Sequence, residues 1–174
     1  MKVRYDQIQK EVKEISLMMV NSREEVPTLF SGVRYVLIPA IIYFTFFLIC
    51  PFFGWFDKNL WQGAGLFSLA FWFFISVFLY SYSMLFAMLP RHAFKKFIIL
   101  DILSKKVRLY YFIWVVSILI SGLLSIFTVY NILILSMVTL VSTVVLGLFF
   151  NLDVSRYQIA GLFGAISAAK EKIM

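Results

Sequence analysis

The sequence is poor in the residues from which most enzyme sites are built. It holds one cysteine, Cys50, and one histidine, His92. No intrachain disulfide can form, and paired-cysteine metal sites are excluded. A lone histidine with no second ligand near it reads as a plain polar surface residue. Acidic residues number nine against sixteen lysines and arginines, and five of the nine precede residue 26. No zinc-protease signature, phosphate-cradling glycine loop or other catalytic pattern occurs. The first twenty residues are charged and amphipathic, so no apolar signal-peptide core opens the chain. Long stretches also lack charge of either sign. An ion-coupled transporter or proton pump normally keeps an ionisable side chain inside a span, and none falls there. The expectation is a protein that is not an enzyme and needs no cofactor or metal.

What is present is apolar surface. Hydrophobic residues make up 62% of the chain, with 20 Phe, 9 Tyr and 4 Trp. A soluble domain has about 45–50%. The excess is gathered into three uncharged runs, Tyr35–Phe56, Asn59–Pro90 and Leu109–Leu152. The last would be about 66 Å long as one helix, at 1.5 Å per residue. That is about twice the thickness of the hydrocarbon core. The run must fold back, and Thr128–Asn131 is the expected turn. The fold class is therefore all-α integral membrane, with four spans at about 35–53, 63–89, 109–129 and 132–150. Pro39 falls in the first turns of the first span, where a missing N–H costs least.

The charged residues fix the expected orientation. Basic residues between spans stay on the cytoplasmic side. Residues 1–34 hold six of them, the loop 90–108 holds six and the tail from 151 holds three, while the two outer turns hold only Lys58. Both termini are thus expected to be cytoplasmic. The formal net charge of +7 is explained by this orientation and by anionic lipid headgroups, so no nucleic-acid partner is expected. The organisation is an amphipathic N-terminal segment (1–30), a four-helix membrane domain (31–150) and an amphipathic C-terminal helix (151–174). In the first, Tyr5, Ile8, Val12, Ile15 and Met19 form one helical stripe. In the last, Asp153 is a plausible N-cap, and Ile159, Leu162, Phe163, Ile166 and Ile173 form the apolar stripe.

Two matching ladders of small residues occupy the third and fourth spans. Ser117, Ser121 and Ser125 are spaced by four, and so are Thr139, Thr143 and Gly147. Small residues at this spacing let two helices approach closely in lipid. Counting outward from the turn sets Ser121 opposite Thr139 and Ser117 opposite Thr143.

Taken whole, the chain resembles the entry-exclusion proteins of F-type conjugative plasmids, the TraS family. The resemblance rests on the charged amphipathic start, the EVPTLF stretch (Glu25–Phe30), the four-span hydropathy and NLDVSRYQIAGLFGAISAAKEKI (Asn151–Ile173). It implies an inner-membrane protein of a plasmid-bearing bacterium that blocks redundant DNA transfer by recognising the donor's TraG-type mating-pair protein. Most polar surface is expected on the inner side, so topology makes Arg91, Lys95, Lys96, Lys105 and Lys106 the candidate partner-binding residues. Membrane lipid is the other expected partner, and a homo-oligomer is open. A colicin-type immunity protein, a small channel or an assembly subunit of a membrane complex would share the same outline.

Overall fold

The computed structural model describes residues 7–8, 10–15, 29–53, 56–87 and 93–173. All regular structure among them is helical. A short helical stretch at residues 10–15 (α1) precedes α2 (Leu29–Ile49), a 3-10 turn (Cys50–Phe52), α3 (Lys58–Ala87), α4 (Ala93–Lys96), α5 (Ile98–Phe127) and α6 (Asn131–Ile173). Four of these, α2, α3, α5 and α6, are long and apolar enough to cross a bilayer. They pack up and down, and α2 touches each of the other three. One end of the bundle carries α1, α4 and the start of α5 (the basic end). The other carries residues 50–53, 56–57 and 128–130 (the turn end).

The bundle is inside out by the standard of a water-soluble protein. Ser68, Ser121, Ser125, Asn131, Ser136 and Thr139 are buried, while Leu66, Phe73, Phe74, Phe112, Leu148 and many other large apolar side chains are exposed. An apolar surface of this extent is not stable in water. In lipid it is the ordinary solvent-facing side, and polar groups gain by turning inward. The chain is accordingly a multi-pass membrane protein.

Local chemistry explains the ends of the helices. Asp57 Oδ1 accepts from the backbone N–H of Asn59 (2.8 Å) and Leu60 (3.2 Å), which makes it the N-cap of α3. Asn131 opens α6 and is buried. Its amide donates to the carbonyls of Cys50 (2.9 Å) and Phe53 (2.5 Å), so the two turns of this end are tied together. Thr128 ends α5 in an extended conformation, which gives the turn at the place the composition suggests.

Three helix boundaries differ from the sequence reading. Helix α2 begins at Leu29, so Pro39 lies in its interior and frees a carbonyl one turn earlier. Helix α5 begins at Ile98, so Lys105, Lys106 and Arg108 stand on a helix rather than in a loop. Helix α6 runs unbroken for 43 residues, about 64 Å. Asp153 therefore sits in mid-helix and is not an N-cap; no glycine or proline interrupts the chain around it, and its carboxylate is held by side chains of α5.

The core is aromatic on one side and hydroxylic on the other. Tyr43, Phe47, Trp72 and Trp114 form a buried cluster with Ile118, Ile132 and Leu135. The Tyr43 ring lies 5.7 Å from Trp72, and Trp72 lies 5.9 Å from Trp114. Helices α2 and α5 approach closely at Gly122, where a Cβ would overlap the Phe46 ring.

Candidate functional site

The charged groups of the basic end are built around the start of α5. Phe97 precedes that helix in an extended conformation and offers no side-chain cap. The cap comes from another element: Glu11 Oε2 of α1 accepts from the backbone N–H of Ile99 at 3.0 Å. One helical turn along α1, Glu14 pairs with Lys96 at 3.3 Å, and Ile15 packs against Ala93, Phe97 and Leu100. The Lys96 ammonium also lies 5.1 Å from the centre of the Phe97 ring. Of the expected N-terminal stripe, Ile8, Val12 and Ile15 are half-buried while Lys10, Lys13 and Glu14 are exposed. Tyr5 and Met19 lie outside the described residues.

The candidate basic residues divide by environment. Lys96 and Lys105 are exposed; Lys105 is paired along its own helix with Asp101 at 2.7 Å. Lys106 is different. Its side chain is only 22% exposed and meets Asp153 of α6 at 2.5 Å, where the Tyr110 hydroxyl also donates to Asp153 at 3.3 Å. Lys106 thus fastens α5 to α6 and does not face outward. Arg91 and the Lys95 side chain lie outside the described residues. Arg108, which topology alone did not single out, is exposed on α5.

The small-residue ladders are used unevenly. Ser121 and Thr139 hydroxyls meet at 3.0 Å in the buried α5–α6 seam. Ser117 does not reach Thr143: it donates to the carbonyl of Ile113 on its own helix, and the Trp114 indole donates to Thr143 at 2.8 Å instead. The larger ring fills the space between these helices that two small residues would have closed. Ser125 donates to the Gly122 carbonyl of its own helix at 2.6 Å, with the Cys50 sulfur of the 3-10 turn at 3.5 Å. Gly147 is not a contact point, since a Cβ there meets nothing within 4 Å.

The polar centre of the bundle escaped sequence reasoning. The Tyr43 hydroxyl sits between Ser68 (2.6 Å) and Ser136 (3.1 Å), joining α2, α3 and α6. The Trp72 indole N–H, close by, has no hydrogen-bond partner among the described residues. No group of three or more His, Cys, Asp or Glu comes together among the described residues. A small hollow at the turn end is lined by Cys50, Phe56, Asp57, Trp61, Tyr130 and Asn131. Comparison with protein-family models, with curated proteins and with solved structures gave no match.

Proposed function

We propose that this chain is a non-enzymatic inner-membrane protein that acts by recognition, blocking redundant conjugative DNA transfer as the resemblance to TraS-type proteins implies. The observation that supports a recognition role is the asymmetry of the two ends. The turn end offers short, mutually tied turns around Asp57 and Asn131. The basic end offers exposed Lys96, Lys105 and Arg108 beside an apolar seat for α1. On this reading the basic end is cytoplasmic, following the positive-inside bias, and the donor's TraG-type protein meets it after reaching or crossing the recipient membrane. Exposed cations would steer an acidic surface, and the apolar residues between them would supply specific contact.

The test is a mating assay with recipients that express only this chain. Transfer from a donor carrying the matching plasmid is expected to fall, while transfer from an unmatched donor is unchanged. Equal transfer from both donors at normal membrane levels of the chain would refute the proposal. Protection of the recipient from a pore-forming colicin would move the chain to the immunity class.

A further inference from the structure

Helix α5 has two faces of opposite character. Trp114, Ile118, Ser121 and Ser125 are buried against the other helices. Lys105, Arg108, Leu109, Phe112, Leu119 and Leu123 are exposed. Their spacing sets them on the opposite side of the helix, turned away from the bundle. This outer face changes chemistry at one level. Leu109 opens the last uncharged run, Leu109–Leu152, and Lys105 and Arg108 stand just before it, where hydrocarbon gives way to headgroups. From Leu109 to Leu119 the apolar part extends about 15 Å. That is half of a hydrocarbon core about 30 Å thick, the depth of one leaflet. Neighbouring acids do not cancel the charge of this face. Lys106 is turned inward to Asp153. Lys105 is paired with Asp101, but the two side chains are 71% and 48% exposed, and exposed pairs hold weakly. Arg108 has no carboxylate partner among the described residues.

We propose that the outer face of α5 is a binding site for a phospholipid of net negative charge. The Arg108 guanidinium donates paired N–H groups to the headgroup phosphate. Lys105, one turn away, adds a second positive charge. One acyl chain lies along Leu109, Phe112, Val116 and Leu119. A zwitterionic lipid has the same phosphate but brings an ammonium group that these two cations repel. An acidic protein segment would meet the cations from the water side and leave Phe112 and Leu119 uncovered, whereas one lipid molecule covers both parts of the face. The other exposed cations do not share this arrangement. Lys96 stands on α4 beside Glu14 and the Phe97 ring, and Lys58 lies at the turn end next to Asp57. The site does not rest on the recognition reading above.

The experiment uses the full chain in phosphatidylcholine nanodiscs doped with a small, equal amount of one of two probes. These are phosphatidylglycerol and phosphatidylcholine carrying the same photoreactive diazirine on an acyl chain. Crosslinked residues are mapped by mass spectrometry. The phosphatidylglycerol probe is expected to label residues 109–119 at least about fivefold more than the phosphatidylcholine probe, the ratio that one basic residue near the surface supplies. Arg108→Gln should cut that ratio by about fivefold, and Arg108→Lys, which keeps the charge but not the paired donors, should cut it less. Lys58→Gln and Lys96→Gln remove the same charge elsewhere and should leave it unchanged. Leu135 and Thr139 are fully buried and stay unlabelled wherever the bundle is intact; the two probes on the unaltered chain decide the matter even where a variant fails to fold. Equal labelling by the two probes would overturn the proposal and leave Arg108 to an acidic protein surface. An excess that survives Arg108→Gln, or that falls as much with Lys58→Gln or Lys96→Gln, would overturn it too, by showing general surface charge in place of a site.

Discussion

Replacing Gly122 with alanine is expected to destabilise the bundle, although alanine is the better helix former. A Cβ at this position overlaps Cγ, Cδ2 and Cε2 of Phe46. Cγ is the root of the ring, so rotating the ring about its own axis does not relieve the clash. Phe46 must change rotamer or α2 must move away from α5. Overpacking of this kind costs about 1–3 kcal/mol. Against it stands the gain of about 1 kcal/mol from removing a helical glycine. Gly147 supplies the internal control, because it is also helical and a Cβ there meets nothing within 4 Å. The difference between Gly122→Ala and Gly147→Ala cancels the propensity gain and leaves the clash, about 1–3 kcal/mol. Gly65→Ala should fall between them: its Cβ would approach only the flexible tip of Phe47, at 3.1 Å. Stability would be read by SDS titration in mixed micelles. Adding Phe46→Val to Gly122→Ala should recover at least half of the loss, as the coupling in a double-mutant cycle. Equal stability of Gly122→Ala and Gly147→Ala, or no rescue by Phe46→Val, would refute the close packing of α2 on α5.

Trp72→Phe should be neutral or stabilising by up to about 1 kcal/mol, because it removes a buried N–H that has no partner among the described residues; a loss above about 2 kcal/mol in the same titration would mean the indole is satisfied. Cysteines at Ser121 and Thr139, in a Cys50→Ser background, should crosslink efficiently across the 3.0 Å hydroxyl contact, while a pair at the exposed positions Ile120 and Val141 should not; the reverse pattern would turn both helices around. Removing either partner of the Lys106–Asp153 pair, whose side chains are 22% and 20% exposed, should cost about 1–3 kcal/mol, and Lys106→Met with Asp153→Leu should recover most of it. Alkaline phosphatase fused after residue 58 should be active and after residue 98 inactive; activity at 98 would invert the orientation.

The spans were legible because lipid imposes a simple rule: about twenty apolar residues per crossing, whatever their order. The turn near Thr128 was legible for the same reason, since 44 uncharged residues cannot be one crossing. Interior contacts were less legible. A ladder of small residues marks a helix face but not its partner, so Ser121 and Thr139 could be paired by counting, while Trp114 displaced Ser117 from Thr143 and Gly147 was left in open space. The glycine that matters, Gly122, follows Ser121 outside the ladder. Tyr43, Ser68 and Ser136 come from three different spans, and nothing local marks them as partners. Charge was the most misleading signal. The six basic residues of 90–108 read as one loop, yet α5 starts within it, and Lys106 turns inward to Asp153. Glu11 gave a local signal, an acid on an amphipathic helix, but its role as the cap of α5 depends on tertiary contact alone.

Mating with single-residue variants decides whether the basic end meets the conjugation partner, as proposed. Arg91, Lys95, Lys96, Lys105 and Arg108 would each be changed to Gln, alongside Asp57→Asn and Trp61→Phe at the turn end. Membrane level and exclusion of a matched donor would be measured on the same cells. Recognition by the basic end requires that at least one of the Gln variants lose exclusion at normal membrane level while both turn-end variants keep it. Full exclusion by every Gln variant, with loss at Asp57 or Trp61, would contradict it and put the recognition surface at the opposite end of the bundle.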